Sequence, residues 1–260
     1  MKTMPLGGGL TNQCWYIQLK NGLEYVWRPV STTAFLVGIS REKEAQVLSF
    51  LQGTELAPAP VWRSKHGLLV EWIAGKRVEQ ISLTELTRTM VSIHRLPAHL
   101  ERANLPTLNF ERLVTRYWNT IQNGQIKARI EPIYQLLRRP PDTFLTQDCL
   151  CHLDLGAHNM IQTPQQFKVI DWEYSALADP RIELALICIN LTHTEAKCVV
   201  SQYCQSLGYP KEALWWQSVL AWFPHVRLMV LLWYMIANQQ DLKAPHNPVI
   251  FELITQLESR

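Results

Sequence analysis

Charge is scarce in this chain. Lys, Arg, Asp and Glu make up 18% of its 260 residues, against roughly 25% in ordinary globular domains. The two signs nearly cancel, leaving a formal charge of +3. So even a balance lacks the basic footprint of a nucleic-acid partner and the high net charge of a disordered chain. Long apolar runs are missing too. The most membrane-like stretch, Leu228 to Ala237, spans ten residues, about half of a spanning helix. It is expected as a buried helix, with no membrane partner. Met1 to Gly9 hold one Lys and no apolar core of a signal peptide. The six cysteines lack the dense spacing of a disulfide scaffold, so free thiols in a cytoplasmic protein are expected. Cys149, Cys151 and His152 are ligand types for a metal, but with no second ligand cluster a buried strand is the expected reading. Repeats and low-complexity tracts are absent.

What the chain has in excess is apolar surface: 47% hydrophobic residues and ten tryptophans. The first third reads as sheet. Cys14 to Leu19 and Leu23 to Arg28 are aromatic and β-branched runs around Asn21-Gly22, the strongest short hairpin signal. A two-residue turn there sets Ile17 opposite Val26 and Trp15 opposite Arg28. A helix follows from about Ser40 to Gln52, with Ala45, Leu48 and Leu51 as its apolar stripe. Glu44 falls on that stripe, where a carboxylate is costly unless paired, and Arg28 is its candidate partner. Val61 to Ile73 reads as a second hairpin. Beyond Gly75 the chain turns helical. Ser82-Leu83-Thr84-Glu85 is a capping box, and Pro97 stops that helix. Residues 110 to 138 hold one or two helices with a break near Gly124. Short strands surround Leu150 to Asp154 and Phe167 to Asp171. Asp179-Pro180 opens a helix through Leu191. The expected division is a small β-rich lobe over residues 1–73 and a larger, mainly helical lobe over 74–260, hinged at about 71–75.

Polar chemistry concentrates at His152-Leu153-Asp154 through Asn159, and twelve residues later at Asp171. Asp154, Asn159 and Asp171 are expected at the ends of two neighbouring short strands. Two carboxylates and an amide oxygen suit Mg²⁺, which takes one or two carboxylates plus substrate phosphates. Together with the glycine loop Gly7-Gly8-Gly9 and the nearby charge of Arg28, this is the parts list of phosphoryl transfer. Asp154 would orient the attacking hydroxyl and accept its proton, while Asn159 and Asp171 hold the metal.

These motifs resemble the aminoglycoside phosphotransferase and choline kinase group, the small-molecule branch of the protein-kinase-like fold. Gly8-Gly9-Leu10-Thr11-Asn12 resembles its nucleotide loop, His152-x-Asp154-x-x-x-x-Asn159 its catalytic loop, and Ile170-Asp171-Trp172-Glu173-Tyr174 its metal-binding segment. The resemblance implies an α+β bilobal fold and an ATP-dependent kinase. Gly8, Gly9, Thr11, Asn12, Arg28 and Glu44 would serve the nucleotide, with Glu71, Trp72 and Ile73 beside its base. Arg28 stands where many relatives carry Lys, a planar fork in place of a point charge. No helix is expected before the glycine loop.

The Ile-Asp-Trp-Glu-Tyr segment and the tryptophan-rich C-terminal run look similar to the choline and bacterial thiamine kinase branch. Aromatic faces attract quaternary and delocalised cations, and both alcohols are permanent cations. Trp172, Glu173, Trp222 and Trp233 are therefore the expected substrate wall and countercharge. Thiamine is the first expectation and choline or ethanolamine the second. An aminoglycoside phosphotransferase or a catalytically silent binding protein remain alternatives, and oligomeric state is left open. Aminoglycosides would want an acidic pocket, whereas Glu212 is the one carboxylate between Lys197 and Asn238.

Overall fold

A computed structural model of the chain describes residues 1–7, 13–98, 104–144, 146–238 and 248–258. The first third forms a five-stranded antiparallel sheet of β1 (Lys2–Leu6), β2 (Cys14–Gln18), β3 (Glu24–Pro29), β4 (Pro60–Ser64) and β5 (Gly67–Glu71), in the order β1-β2-β3-β5-β4. The hairpin over residues 14–28 forms, but one residue out of the expected register. Trp15 pairs with Trp27 and Ile17 with Tyr25.

The turn explains the slip. Leu19 N–H donates to Leu23 O at 2.8 Å and Gly22 N–H to Leu19 O at 3.1 Å, so Lys20-Asn21-Gly22 is a three-residue loop. Gly22 takes a φ of 88° while Asn21 does not turn positive, and the two-residue turn requires both. A one-residue slip exchanges faces. Arg28 therefore shares its face with Cys14, whose Sγ lies 3.8 Å from Nη1, and not with Trp15.

Helix α1 (Thr32–Leu36) leads to α2 (Arg41–Leu51), which packs against β4 and β5. Ser40 caps α2 by accepting Lys43 N–H. The buried stripe is Arg41, Glu44, Val47, Leu48 and Leu51, so two opposite charges ride on the inward face. Gly67 has no room for a side chain: a Cβ there would lie 2.5 Å from Arg28 O and 2.6 Å from the Trp27 ring.

Past β6 (Lys76–Arg77) come α3 (Leu83–His94), α4 (Phe110–Thr120) and α5 (Gly124–Leu137). Ser82 caps α3 as its capping box predicts, and the break at Gly124 separates α4 from α5. Short strands β7 (Cys149–Cys151), β8 (Met160–Gln162), β9 (Phe167–Val169) and β10 (Ala176–Ala178) follow. Here the expectation fails in part. β7 pairs with β10, whereas β9 pairs with β8 and β8 with β6, so the two strands expected as neighbours lie in different sheets.

Helices α6 (Pro180–Cys188), α7 (His193–Leu207), α8 (Glu212–Ala237) and α9 (Pro248–Glu258) complete the described fold. α6 stops at Cys188 with Ile189 as its cap, short of Leu191. α8 is the axis against which α4, α5, α6, α7 and α9 pack. Its 26 residues extend well beyond the stretch expected from residues 228–237, with Pro224 inside. By length and composition it is apolar enough to cross a membrane, yet 56% of its most apolar window is buried in the fold.

Candidate active site

The segment between β7 and β8 is held by its own first residue. His152 is fully buried, accepts Asp154 N–H on Nδ1 at 3.3 Å, and therefore donates from Nε2 to Ile170 O at 3.0 Å. One imidazole thus ties the Asp154 loop to the Asp171 segment. A second tie is Ile170 N–H to Asn159 O at 2.9 Å. Asn159 sits at the end of a single 3-10 turn, Ala157–Asn159, and its Nδ2 donates to Asp154 O and Oδ2 at 2.9 and 3.0 Å. Asp154 is left with its side chain 44% exposed and His158 Nε2 at 3.5 Å from Oδ1. That hydrogen bond raises the His158 pKa, against partial burial.

Both segments carry backbone strain. Leu153 and Asp171 have φ of 66° and 67°, a region side chains rarely adopt and one that clusters at functional sites. Leu153 N–H donates to Glu183 Oε1 at 2.6 Å, which pins the residue before Asp154.

Asp171 joins a buried ion cluster. Arg28 Nη2 bonds to Asp171 Oδ1 and, at 2.9 Å, to Glu173 Oε2. Arg28 Nε lies 2.7 Å from Glu44 Oε1, an ion pair whose N–H is not aligned as a hydrogen bond. Arg41 Nη1 bridges Glu44 and Glu173 at 2.6 and 2.9 Å. The expected Arg28–Glu44 pair is present, within a larger set that the sequence reading missed. Arg41 could have been found from its position three residues before Glu44 on the same helix face. Burial opposes ionisation of Asp171, but Arg28 outweighs it and holds the carboxyl below its ordinary value. For Glu173, burial and then Asp171 prevail over both arginines and push the carboxyl up to about 7.

The donor chemistry fits Mg²⁺. With Asn159 Nδ2 committed to Asp154, the amide oxygen is the atom left for a hard cation, and Asp171 adds a carboxylate whose Oδ1 alone is taken by Arg28. Oxygen donors of this kind suit the ion better than any of the cysteines do.

Asp154 opens onto a cavity of about 770 Å³, walled by Tyr117, Tyr174, Trp233 and Tyr234. Trp233 Nε1 donates to the Tyr174 hydroxyl at 2.9 Å. Glu173 also lines this cavity, while its carboxylate belongs to the ion cluster. Two tryptophans expected in the wall are elsewhere. Trp172 is buried, donating to Val169 O and packing on His152. Trp222 is buried edge-on against Phe110. Lys43, Arg112 and Arg116 contribute to the cavity lining, and Arg116 also donates to Phe35 O at 2.6 Å.

Of the residues expected around the nucleotide, Gly8, Gly9, Thr11 and Asn12 lie outside the described residues. Glu71 ends β5, Trp72 N–H donates to Glu24 O at 3.2 Å and its ring meets Tyr16 edge-on, and Ile73 follows. His152, like Cys149 and Cys151 a ligand type by residue alone, does not join the two thiols but bonds to Ile170 O, in keeping with the buried strand expected there. His94 lies beside the thiols instead.

The chain belongs to the phosphotransferase enzyme family, whose model matches residues 2–215. Within that family it is similar to a thiamine kinase of Escherichia coli O6:K15:H31, 23% identical over 180 residues, covering 69% of this chain and 63% of the relative. A thiamine kinase of Shigella sonnei is also 23% identical, over 72% of this chain and 68% of its own. Among solved structures, a choline kinase of Streptococcus pneumoniae superposes with a TM-score of 0.70 at 18% identity, over 100% of this chain and 94% of that one. A gentamicin-bound aminoglycoside phosphotransferase gives 0.62 at 14% identity, over 100% and 91%. The protein-kinase-like bilobal fold is thereby shown.

Proposed function

We propose that the chain transfers the γ-phosphoryl group of ATP to the primary alcohol of a small organic cation, thiamine in the first place. One observation carries this reading: the Asp154 carboxylate stands at an aromatic-walled cavity of about 770 Å³. Aromatic faces bind a delocalised or quaternary cation, and the carboxylate is the group that orients and deprotonates a hydroxyl. The thiamine kinase relatives support thiamine, although the first of them is matched over only 63% of its length.

In this reading residues 1–73 bind the nucleotide and 74–260 the alcohol. Gly8, Gly9, Thr11 and Asn12 cover the phosphates, and the backbone of Glu71 to Ile73 meets the base. Arg28, with five donors in a rigid fork, meets the phosphates while Glu44 and Arg41 hold the cluster around it. Mg²⁺ held by Asn159 and Asp171 would neutralise charge on the phosphates. Asn159 also fixes the Asp154 carboxylate by donating from Nδ2 to Oδ2, while Oδ1 faces His158. Asp154 takes the hydroxyl proton as the alcohol oxygen attacks.

Choline or ethanolamine is the second reading, because the same aromatic walls suit a quaternary ammonium. A polycationic aminoglycoside suits the site less, since Lys43, Arg112 and Arg116 contribute to the lining. The test is ATP consumption by the purified chain over thiamine, choline, ethanolamine and kanamycin. Thiamine is expected to turn over fastest, and kanamycin turnover above the others would reverse the assignment. Asp154→Ala should lose about 10²- to 10⁴-fold in kcat with nucleotide affinity kept. Near-normal turnover would remove Asp154 from its role, and an inert wild-type chain would leave a binding protein.

A further inference from the structure

Behind the catalytic loop, α3, β7, α6 and α7 meet around groups that the proposed transfer does not use. Cys149 and Cys151 stand two apart on β7, so both thiols leave one face of the strand. Their Sγ atoms are 3.8 Å apart, and both thiols are free. His94, the last residue of α3, joins them from 55 positions upstream of Cys149. One ligand atom from each of the three lies within 4.8 Å of the others. In a tetrahedral site with Zn–S bonds of about 2.3 Å, two thiolate sulfurs stand about 3.8 Å apart. The strand already holds them at that spacing.

The surroundings of His94 fit the same chemistry. Its Nε2 pairs with Glu183 Oε2 at 2.6 Å, while Nδ1 faces the Tyr203 hydroxyl at 2.8 Å. A metal-binding histidine gives one ring N–H to a carboxylate and keeps the other nitrogen for the ion, so at this site the Tyr203 hydroxyl would yield Nδ1 to the ion. Glu183 is fully buried and is the carboxylate in position to orient the ring. Cys149 is only half-buried, which leaves the cluster an approach from solvent.

Hydrogen bonding from Cys151, with help from His94, lowers Cys149 to about 6 against its burial. Burial disfavours charge on His94, but Cys149 and Glu183 outweigh it and raise the ring to about 10.

We propose that His94, Cys149 and Cys151 form a binding site for one thiophilic divalent cation of the Zn²⁺ type, separate from the oxygen donors Asn159 and Asp171. Thiolates and imidazole select such an ion over Mg²⁺, and three protein ligands leave a fourth position open. Because β7 runs directly into His152-Leu153-Asp154, and Glu183 grips both His94 and Leu153, the ion would brace the catalytic loop from behind.

Cobalt substitution tests this with a readout independent of activity. The chelator-treated full chain, titrated with Co²⁺, should develop a thiolate-to-cobalt charge-transfer absorption that saturates at one equivalent and is displaced by Zn²⁺. The band should vanish in Cys149→Ser and in Cys151→Ser, and persist in Cys198→Ser and in Asp171→Ala. Absence of the band in the wild-type chain, or its survival in either β7 variant, overturns the site. A second measurement needs no variant: alkylation of Cys149 in the wild-type chain, followed by mass spectrometry, should be blocked by Zn²⁺ while the exposed Cys198 reacts as before. Equal Cys149 alkylation with and without Zn²⁺ refutes the proposal.

Discussion

Replacing Arg41 with Met should be far more damaging than neutralising Glu173, although both touch the same buried cluster. The reason is a charge count. Arg28 and Arg41 face Glu44, Asp171 and Glu173, two positive groups against three negative. Arg41→Met removes the ion pairs to Glu44 and Glu173, at 2.6 and 2.9 Å, and the bond from Nε to Pro29 O at 3.1 Å. It leaves three carboxylates sharing a single guanidinium. Removing one partner of a buried pair costs about 3–5 kcal/mol, a large part of a total stability of about 5–15 kcal/mol. Glu173→Gln instead balances the cluster and keeps an acceptor oxygen for both arginines. Glu173 already titrates as high as about 7, so the loss is expected at about 1 kcal/mol or less. Urea unfolding followed by circular dichroism at neutral pH, without Mg²⁺, reads the difference. In thermal melts, Arg41→Met should fall by roughly 6–20 °C, taking about 2–4 °C per kcal/mol for a chain of this size. If the two variants unfold within about 1 kcal/mol of each other, the cluster is not organised by excess negative charge and the argument fails.

The cavity separates two tryptophans that look alike in the sequence. Trp233→Ala should raise KM for the cationic alcohol roughly 2- to 30-fold, the range of a desolvated cation–π contact, whereas Trp222→Phe should leave KM unchanged; the reverse pattern would relocate the pocket. Gly67→Ala should destabilise the sheet by about 1–3 kcal/mol, as overpacking does, because its Cβ would meet Arg28 O and the Trp27 ring; an unchanged urea midpoint would show that β3 yields freely. Arg129 and Glu258 staple α5 to α9 through two bonds of 2.8 Å, and the hydrogen bond from Arg129 lowers the Glu258 pKa below 4.5. A depressed acid contributes stability above its unfolded value of 4.5 and loses it as pH falls through the folded one. The small advantage of wild type over Glu258→Gln at neutral pH should therefore vanish at acidic pH and shrink in salt, and an advantage that survives acid would assign it to packing.

Much of the architecture was legible because its signals are local. Ser82 and Glu85 sit within one helical turn, Gly124 marks a break, and His152, Asp154 and Asn159 share a single loop. What was hidden depended on encounters across the chain. The β2–β3 register turned on whether Asn21 takes a positive φ, a choice the Asn-Gly pair leaves to the flanking strands. Trp172 and Trp233 have the same chemistry, and only packing decides that one is core and the other wall. Arg41 was the nearer miss, since i,i+3 spacing to Glu44 is visible in the sequence. His94 was the farther one, because no periodicity links the end of a helix to two thiols on a strand 55 residues later.

That long-range link also explains how a short loop can hold the carboxylate proposed as catalytic still. Leu153 sits at a φ of 66°, a conformation that costs a bulky side chain about 1–3 kcal/mol. A hydrogen bond to a charged group is worth about 1.5–3 kcal/mol, and Leu153 N–H has one in Glu183 at 2.6 Å. The two terms are of the same size, so the strained turn persists only while the Glu183 carboxyl is held in place. Its other oxygen is held by His94 from α3, and the ring in turn by Tyr203 from α7. Asp154 is thus aimed by a chain of buried contacts running through three helices, of which α6 also lines the cavity at Asp154 with Glu183, Leu186 and Ile187. On the other side, His152 ties the loop to Ile170, and Asn159 ties it to Asp171 through the same backbone. The carboxylate that would accept the proton and the one that would hold the metal are positioned by one framework, and the helical half of the molecule supplies its rigidity.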